Sequence, residues 1–153
     1  MTNEFAMDPA NGKATNAVLD ITGHVNAVPT FSSSPAFDIY SEDDLLDKAK
    51  LIRTPFVGIM YEGSKPTQGD TSRQGLAGEI HVTVVLGVAS KSIGNVNSRN
   101  EATLYLDAIR KQILSTRSPT MHKWRWNGES FAGVIGNVNI YLQRWVTFTP
   151  MSG

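Results

Sequence analysis

Hydrophobic positions in this chain recur at two periods, and the stretches that carry them alternate. Between residues 100 and 117, Ala102, Leu106, Ile109 and Ile113 fall at helical spacing, with Tyr105 and Leu114 widening the stripe. Ser98 or Asn100 is placed to cap this helix. Arg110, Lys111 and Arg117 favour its C-terminal half, and Pro119 stops it. A second helix is predicted over 41–53, SEDDLLDKAKLIR. Ser41 can accept a free backbone N–H, and Glu42, Asp43 and Asp44 suit the positive end of the helix dipole. Leu45, Leu46, Ala49 and Ile52 form its apolar stripe, and Pro55 ends it.

The other period is two. In EIHVTVVLGVAS (79–90), Ile80, Val82, Val84, Leu86 and Val88 share one face. His81, Thr83, Val85, Gly87 and Ala89 share the other, which is small and hardly polar and so is expected to be covered as well. PFVGIMYE (55–62) reads as a short strand that is apolar on both faces. The stretch 63–78 is polar, rich in glycine, and too long for a tight turn. Residues 122–150 read entirely as strand. Asn127-Gly128 gives a hairpin signal, and Gly133 and Gly136 mark a second turn or a bulge. In the last run Val138, Ile140, Leu142, Val146 and Phe148 alternate with Tyr141, Trp145 and Thr147. Such a strand extends roughly 43 Å, so a bend near Gln143–Arg144 or a projecting end is expected.

Residues 1–40 are rich in Asn, Ser, Thr, Pro and Ala. A short helix through Ala17, Val18, Ile21 and Val25 competes with Gly23 and the β-branched residues, and PTFSSSPAF reads as extended loop. The predicted organisation is therefore an N-terminal arm over 1–40, extended or partly helical, and a single domain over 41–153. The order of elements, α–β–β–α–β–β–β, predicts an α+β fold. Its sheet is antiparallel or mixed, has four to five strands, and carries two main helices packed on one face.

At 153 residues the chain can bury a core without staples, and it has no cysteine, so disulfides and thiolate metal sites are excluded. Fourteen basic and 14 acidic residues balance, which removes any general attraction to nucleic acid or anionic membrane. No apolar run reaches the roughly 18 residues that a membrane span needs. The N-terminus has neither the basic start nor the apolar stretch of a secretory signal, so the protein is expected to stay where it is made or to be built into something there.

No constellation of catalytic residues stands out. G-x-x-x-x-G-K-[ST], H-E-x-x-H and G-x-S-x-G are all missing, and His24, His81 and His122 have no partners at ligand spacing. No catalytic residue, metal ligand or cofactor site is therefore assigned. The acids of SEDD splay around a helix axis and read as dipole charge. Gly94, between a strand and a helix, is too little to form a phosphate loop. Trp124 and Trp126 share a strand face and are interleaved with Lys123 and Arg125. With Tyr141 and Trp145 they could stack single-stranded bases, or they could pack under a helix or at a subunit contact.

The run of elements also resembles a known group. TPFVGIMYEG, EIHVTVVLGVASKS, NEATLYLDAIRKQILSTRSP, WRW and NIYLQRWVTFT, over about residues 42–150, are similar to the tail terminators and Mu-type minor tail proteins of long-tailed bacteriophages. The residues carrying the likeness are Val88–Ser90, Leu106–Arg110, Leu114 and the strand 138–149. The resemblance implies a non-enzymatic virion protein of the tail neck, assembled in the host cytoplasm. It would form a homohexameric ring that caps the tail tube, ends tail polymerisation and offers a surface for head–tail joining. Its partners would be copies of itself, the tube protein, a neck or head-connector protein and, where the tail contracts, the sheath protein. No membrane and no sequence-specific nucleic acid would be among them. A tail-completion or head–tail joining role and a single-stranded nucleic-acid-binding module are the alternatives. Trp124, Trp126, Tyr141, Arg144, Trp145, Arg110 and Lys111 are the candidate residues for subunit or partner contacts.

Overall fold

The computed structural model describes residues 11–67, 77–90, 95–115 and 123–150. Residues 1–10 of the expected arm, the polar stretch 68–76, Gly94, Arg117 and His122 lie outside them. The elements in chain order are α1 (Lys13–Asn26), α2 (Pro29–Ser32), β1 (Phe37–Ile39), α3 (Glu42–Leu51), β2 (Phe56–Pro66), β3 (Ala77–Ala89), α4 (Asn95–Ser115), β4 (Trp124–Ile135) and β5 (Val138–Pro150). The class is α+β, and the sheet is mixed, with five strands in the order β1-β2-β3-β5-β4. β1 runs parallel to β2, and every other pair is antiparallel.

The alternation in β3 sets the two faces. Ile80, Val82, Val84, Leu86 and Val88 are all buried and join Val57 and Ile59 of β2 under α1 and α4. From α4 come Ala102, Leu106, Ile109 and Ile113, all of them buried, as their spacing predicts. Ser98 does not cap this helix. α4 begins at Asn95, and the Ser98 hydroxyl lies buried, donating to the Ala89 carbonyl at 2.8 Å and accepting from Asn139 Nδ2 at 3.2 Å. It fixes the first turn of α4 to the end of the central strands.

Two long helices do share one face, and they are α1 and α4. The helix predicted over 41–53 lies on the other face. There α3 contributes Leu45, Ala49 and the following Ile52 to a smaller cluster with Ile39, Phe56, Val85, Val138 and Ile140. The cause is Gly87, where β3 has no side chain: the Phe56 ring fills the space, so a Cβ at Gly87 would overlap it. That pocket gives the second face an apolar centre on which α3 can sit. The N-terminus of α3 forms as predicted, with Ser41 Oγ accepting from the Asp44 backbone N–H at 3.1 Å.

Further expectations are corrected. The segment read as an arm belongs to the domain, because Ala17, Ile21, Val25, Val28 and Phe31 are buried in the main core. Burial of that stripe outweighs the modest propensity cost of Gly23 and the β-branched residues. Asn127-Gly128 is not a hairpin turn. It falls between the Trp126–Trp145 and Glu129–Gln143 pairs as a break in register within β4, with Gly128 at φ 109°. The turn is two residues, Gly136-Asn137, with Gly136 at φ 59°, so residues 122–150 hold two strands and not three. The fifth strand is β1, which starts at Phe37, the last residue of the stretch read as extended loop; the first four residues of that stretch form α2. Finally, β5 neither bends at Gln143–Arg144 nor projects alone. It pairs with β3 from Val138–Ala89 to Pro150–Ala77 without a register shift.

Two outcomes test this packing. Gly87→Ala should lower stability by about 1–3 kcal/mol in chemical denaturation, because the Phe56 ring must move; Phe56→Leu in the same chain should recover part of the loss. Asp44 tests α3. The Tyr40 backbone N–H first, and then Lys48 Nζ at 3.1 Å, hold its carboxyl below the usual carboxylate range. A depressed folded-state pKa stabilises above the unfolded value and is lost as pH falls through the folded one. The Tyr40 amide resonance should therefore shift only below about pH 4, and Asp44→Asn should remove that shift.

Candidate functional site

Each predicted contact residue has a definite place. Trp145 is fully buried and Trp124 is 8% exposed, both in the core beneath the helices. Burying an indole of roughly 150–250 Å² at about 25 cal/mol per Å² is worth roughly 4–6 kcal/mol. These two rings hold the domain together and are not part of its surface. Trp124 Nε1 donates to the buried Asp20 carboxylate at 2.7 Å, which ties α1 to the first residue of β4. The His24 imidazole lies 3.4 Å from the same carboxylate. A flat aromatic platform of Trp124, Trp126, Tyr141 and Trp145 therefore does not exist.

Trp126 is 43% exposed on β4, on the face that carries α4. The Arg110 guanidinium lies 5.1 Å from the centre of its ring. Arg110 itself is gripped by Asp107 and Glu129. Partial burial works against its charge, but these two acids outweigh that and raise its pKa above the ordinary value. Glu129 also accepts from Gln143 Nε2 at 2.7 Å. The fully buried Gln143 donates from the same nitrogen to the Leu106 carbonyl at 2.9 Å, and its oxygen accepts from Trp145 Nε1 at 2.9 Å. A polar chain thus runs from the core tryptophan to the exposed one. The sequence gives one hint of it: Gln143 stands on the same strand face as Tyr141 and Trp145, between the two aromatic residues.

Tyr141 is half-buried, its ring 5.3 Å from that of Phe131. Lys111 is exposed on α4. Arg144 lies on the opposite face of the sheet, donating to Ser130 Oγ at 3.0 Å. The predicted set therefore splits into two core residues, a connected surface pair (Arg110 and Trp126), Lys111 and Tyr141 on the α4 side, and one residue across the sheet.

Sequence reasoning missed two clefts. One of about 450 Å³ opens on the half of the α3 face that α3 leaves bare, at the Gly63 bulge, between Glu62, Lys65, His81, Thr83 and Arg144. Its side chains engage one another: Thr83 Oγ1 donates to Glu62 at 2.7 Å, and His81 bonds Glu79 at 3.0 Å. The other, about 320 Å³, lies between α1 and the β1–β2 edge and is mainly apolar, with Val18, Leu19, Ile39, Ile59 and the half-exposed Tyr61 in its walls. It was invisible while residues 13–39 were read as an arm. Among the described residues no three His, Asp or Glu side chains converge as a metal site would require.

The sheet edges complete the surface. β1 pairs with β2 only at Gly58, Ile59 and Met60, so the outer edge of β2 from Tyr61 onward has no strand beside it among the described residues. At the other side, among the described residues, β4 pairs with β5 alone, and it exposes Trp126, Phe131 and Val134. No protein-family profile matches the chain, and no curated protein matches it in sequence.

The polar chain makes a testable claim. Gln143→Leu keeps the volume but strips partners from Trp145 Nε1, the Leu106 carbonyl and Glu129. Stability should fall by about 1–3 kcal/mol in urea titration, and the Arg110 guanidinium resonances should shift as Glu129 loses its Gln143 partner.

Proposed function

We propose that this chain is a structural subunit that assembles with copies of itself into a closed ring. Following the resemblance noted above, the ring would cap the head-proximal end of a phage tail tube, end its polymerisation and offer a face to the head connector. The observation that supports this most directly is that, among the described residues, no strand lies outside β4 or beside β2 from Tyr61 onward, with half-exposed aromatic residues at each opening. A ring needs two different surfaces on one subunit that fit each other, and opposite edges of one sheet provide them. The shape of the α4 motif and the aromatic closing strand support the phage assignment.

Tails assembled without this protein test the role. Electron micrographs should show tubes of uncontrolled length that carry no head. Tubes of normal length that merely lack heads would favour a joining protein instead. In solution, native mass spectrometry should find monomer and one closed ring, with little between. A chain that stays monomeric over a hundredfold concentration range, even when its tube protein is added, would sink the proposal.

A further inference from the structure

We infer that copies of this chain join head to tail through the two ends of a single row of the sheet. Trp126 on β4 of one copy seats against Tyr61 on β2 of the next, at the mouth of the apolar cleft under α1. The inference rests on the ring reading above and names its junction.

The row is read directly from the register: Tyr61 pairs with Val82, Val82 with Trp145, and Trp145 with Trp126. All four side chains lie on the face that carries α1 and α4. The two inner members are buried, Val82 at 1% and Trp145 at 0% exposure. The two outer members are aromatic and half exposed, Tyr61 at 45% and Trp126 at 43%. An apolar row that ends in open aromatic rings at both sides is unfinished at both ends.

The edges permit the pairing at that level. β1 stops covering β2 one residue before Tyr61, and the outer side of β4 carries no strand among the described residues. Each step β2–β3, β3–β5 and β5–β4 is antiparallel, so β2 and β4 run in opposite directions. Neighbours in the same orientation therefore bring β4 of one beside β2 of the next as an antiparallel pair, with the helix layers on the same side. Cross-strand aromatic pairs then meet at about 4.5–5.5 Å between Cβ atoms. The cleft beside Tyr61 receives the apolar side chain. A two-fold pairing of β4 with β4 would set Trp126 against its own copy and leave Tyr61 and the cleft open. It would also stop at two subunits, which a ring cannot do.

The chain has no native cysteine, so a paired-cysteine experiment is clean. In the Tyr61→Cys/Trp126→Cys double variant, oxidation or a short dithiol-reactive linker should give a covalent ladder ending at the ring. Either single variant should give no cross-link. A cross-linked dimer from Trp126→Cys alone would establish the two-fold alternative and overturn the inference. Trp126→Asp and Tyr61→Asp provide the second arm. Both positions are half exposed, so melting temperatures should hold within a few degrees. Each variant alone should weaken assembly at least tenfold. An equal mixture should stop at heterodimers, because one intact junction remains. Rings that persist in both variants would overturn the junction while leaving the ring reading in place. Wild-type chains that never assemble would remove both.

Discussion

The unbroken ladder between β3 and β5 governs the rest of this structure. Each strand has 13 residues, about 43 Å at full extension. Their facing rows place Val82, Val84 and Leu86 beside Trp145, Gln143 and Tyr141 on a single face. A surface of that length cannot stay in water, and α1 and α4 are what cover it. At 1.5 Å per residue, the 14 residues of α1 reach only about 21 Å. The 21 residues of α4 reach about 31 Å, and the two helices together bury that face of β3 from Ile80 to Val88. β4, at the side of the sheet, keeps most of its side chains in solvent.

How much of this was legible depended on how cleanly one period dominated a segment. The stripe of α4, apart from the exposed Leu114, and the two faces of β3 could be read outright, because the periods agreed along each segment. α3 was legible from Ser41 and its acids, but its side of the sheet was not, since that depends on Phe56 filling the gap at Gly87. The helix through Ala17, Ile21 and Val25 was legible, with Gly23 and the β-branched residues against it, but its place in the core was not: the apolar row runs beside a polar row, Asn16, Asp20 and His24. Both rows are buried. Buried polar residues look like surface in a sequence unless their partner is known, and the partner of Asp20 is a tryptophan 104 positions away. The tryptophans posed the same difficulty in reverse. Trp124 and Trp126 share a strand face and differ in fate only because α1 reaches one of them.

The edges also carry features that limit pairing. β2 has a bulge at Gly63, an exposed Lys65 and then Pro66, which has no N–H to donate; β4 breaks register twice along its length. Such features discourage long, indiscriminate edge-to-edge association. They leave only a short stretch able to pair, next to Tyr61 on one side and Trp126 on the other. A single short junction is weak, whereas a closed ring makes one at every subunit and gains one more on closure than an open chain of the same length. In the proposed ring this would favour monomer and closed ring over the partial assemblies between them.

The buried polar chain then acquires a reason. Gln143 sits in the core where an apolar residue would pack at no cost in desolvation, and it is retained with both of its polar atoms engaged. Through Glu129 it sets the position of Arg110, and Arg110 lies over the exposed Trp126. An exposed indole without such support would sample several rotamers and lose that freedom on contact, at about 0.5–1.5 kcal/mol per ordered side chain. Here the restraint comes from the core and acts before any partner arrives. The same chain is anchored at the Leu106 carbonyl of α4, so the orientation of the edge aromatic is tied to the seating of the helix layer. A subunit whose α4 is not docked on its ladder does not present Trp126 in that orientation, so the proposed assembly would be coupled to complete folding.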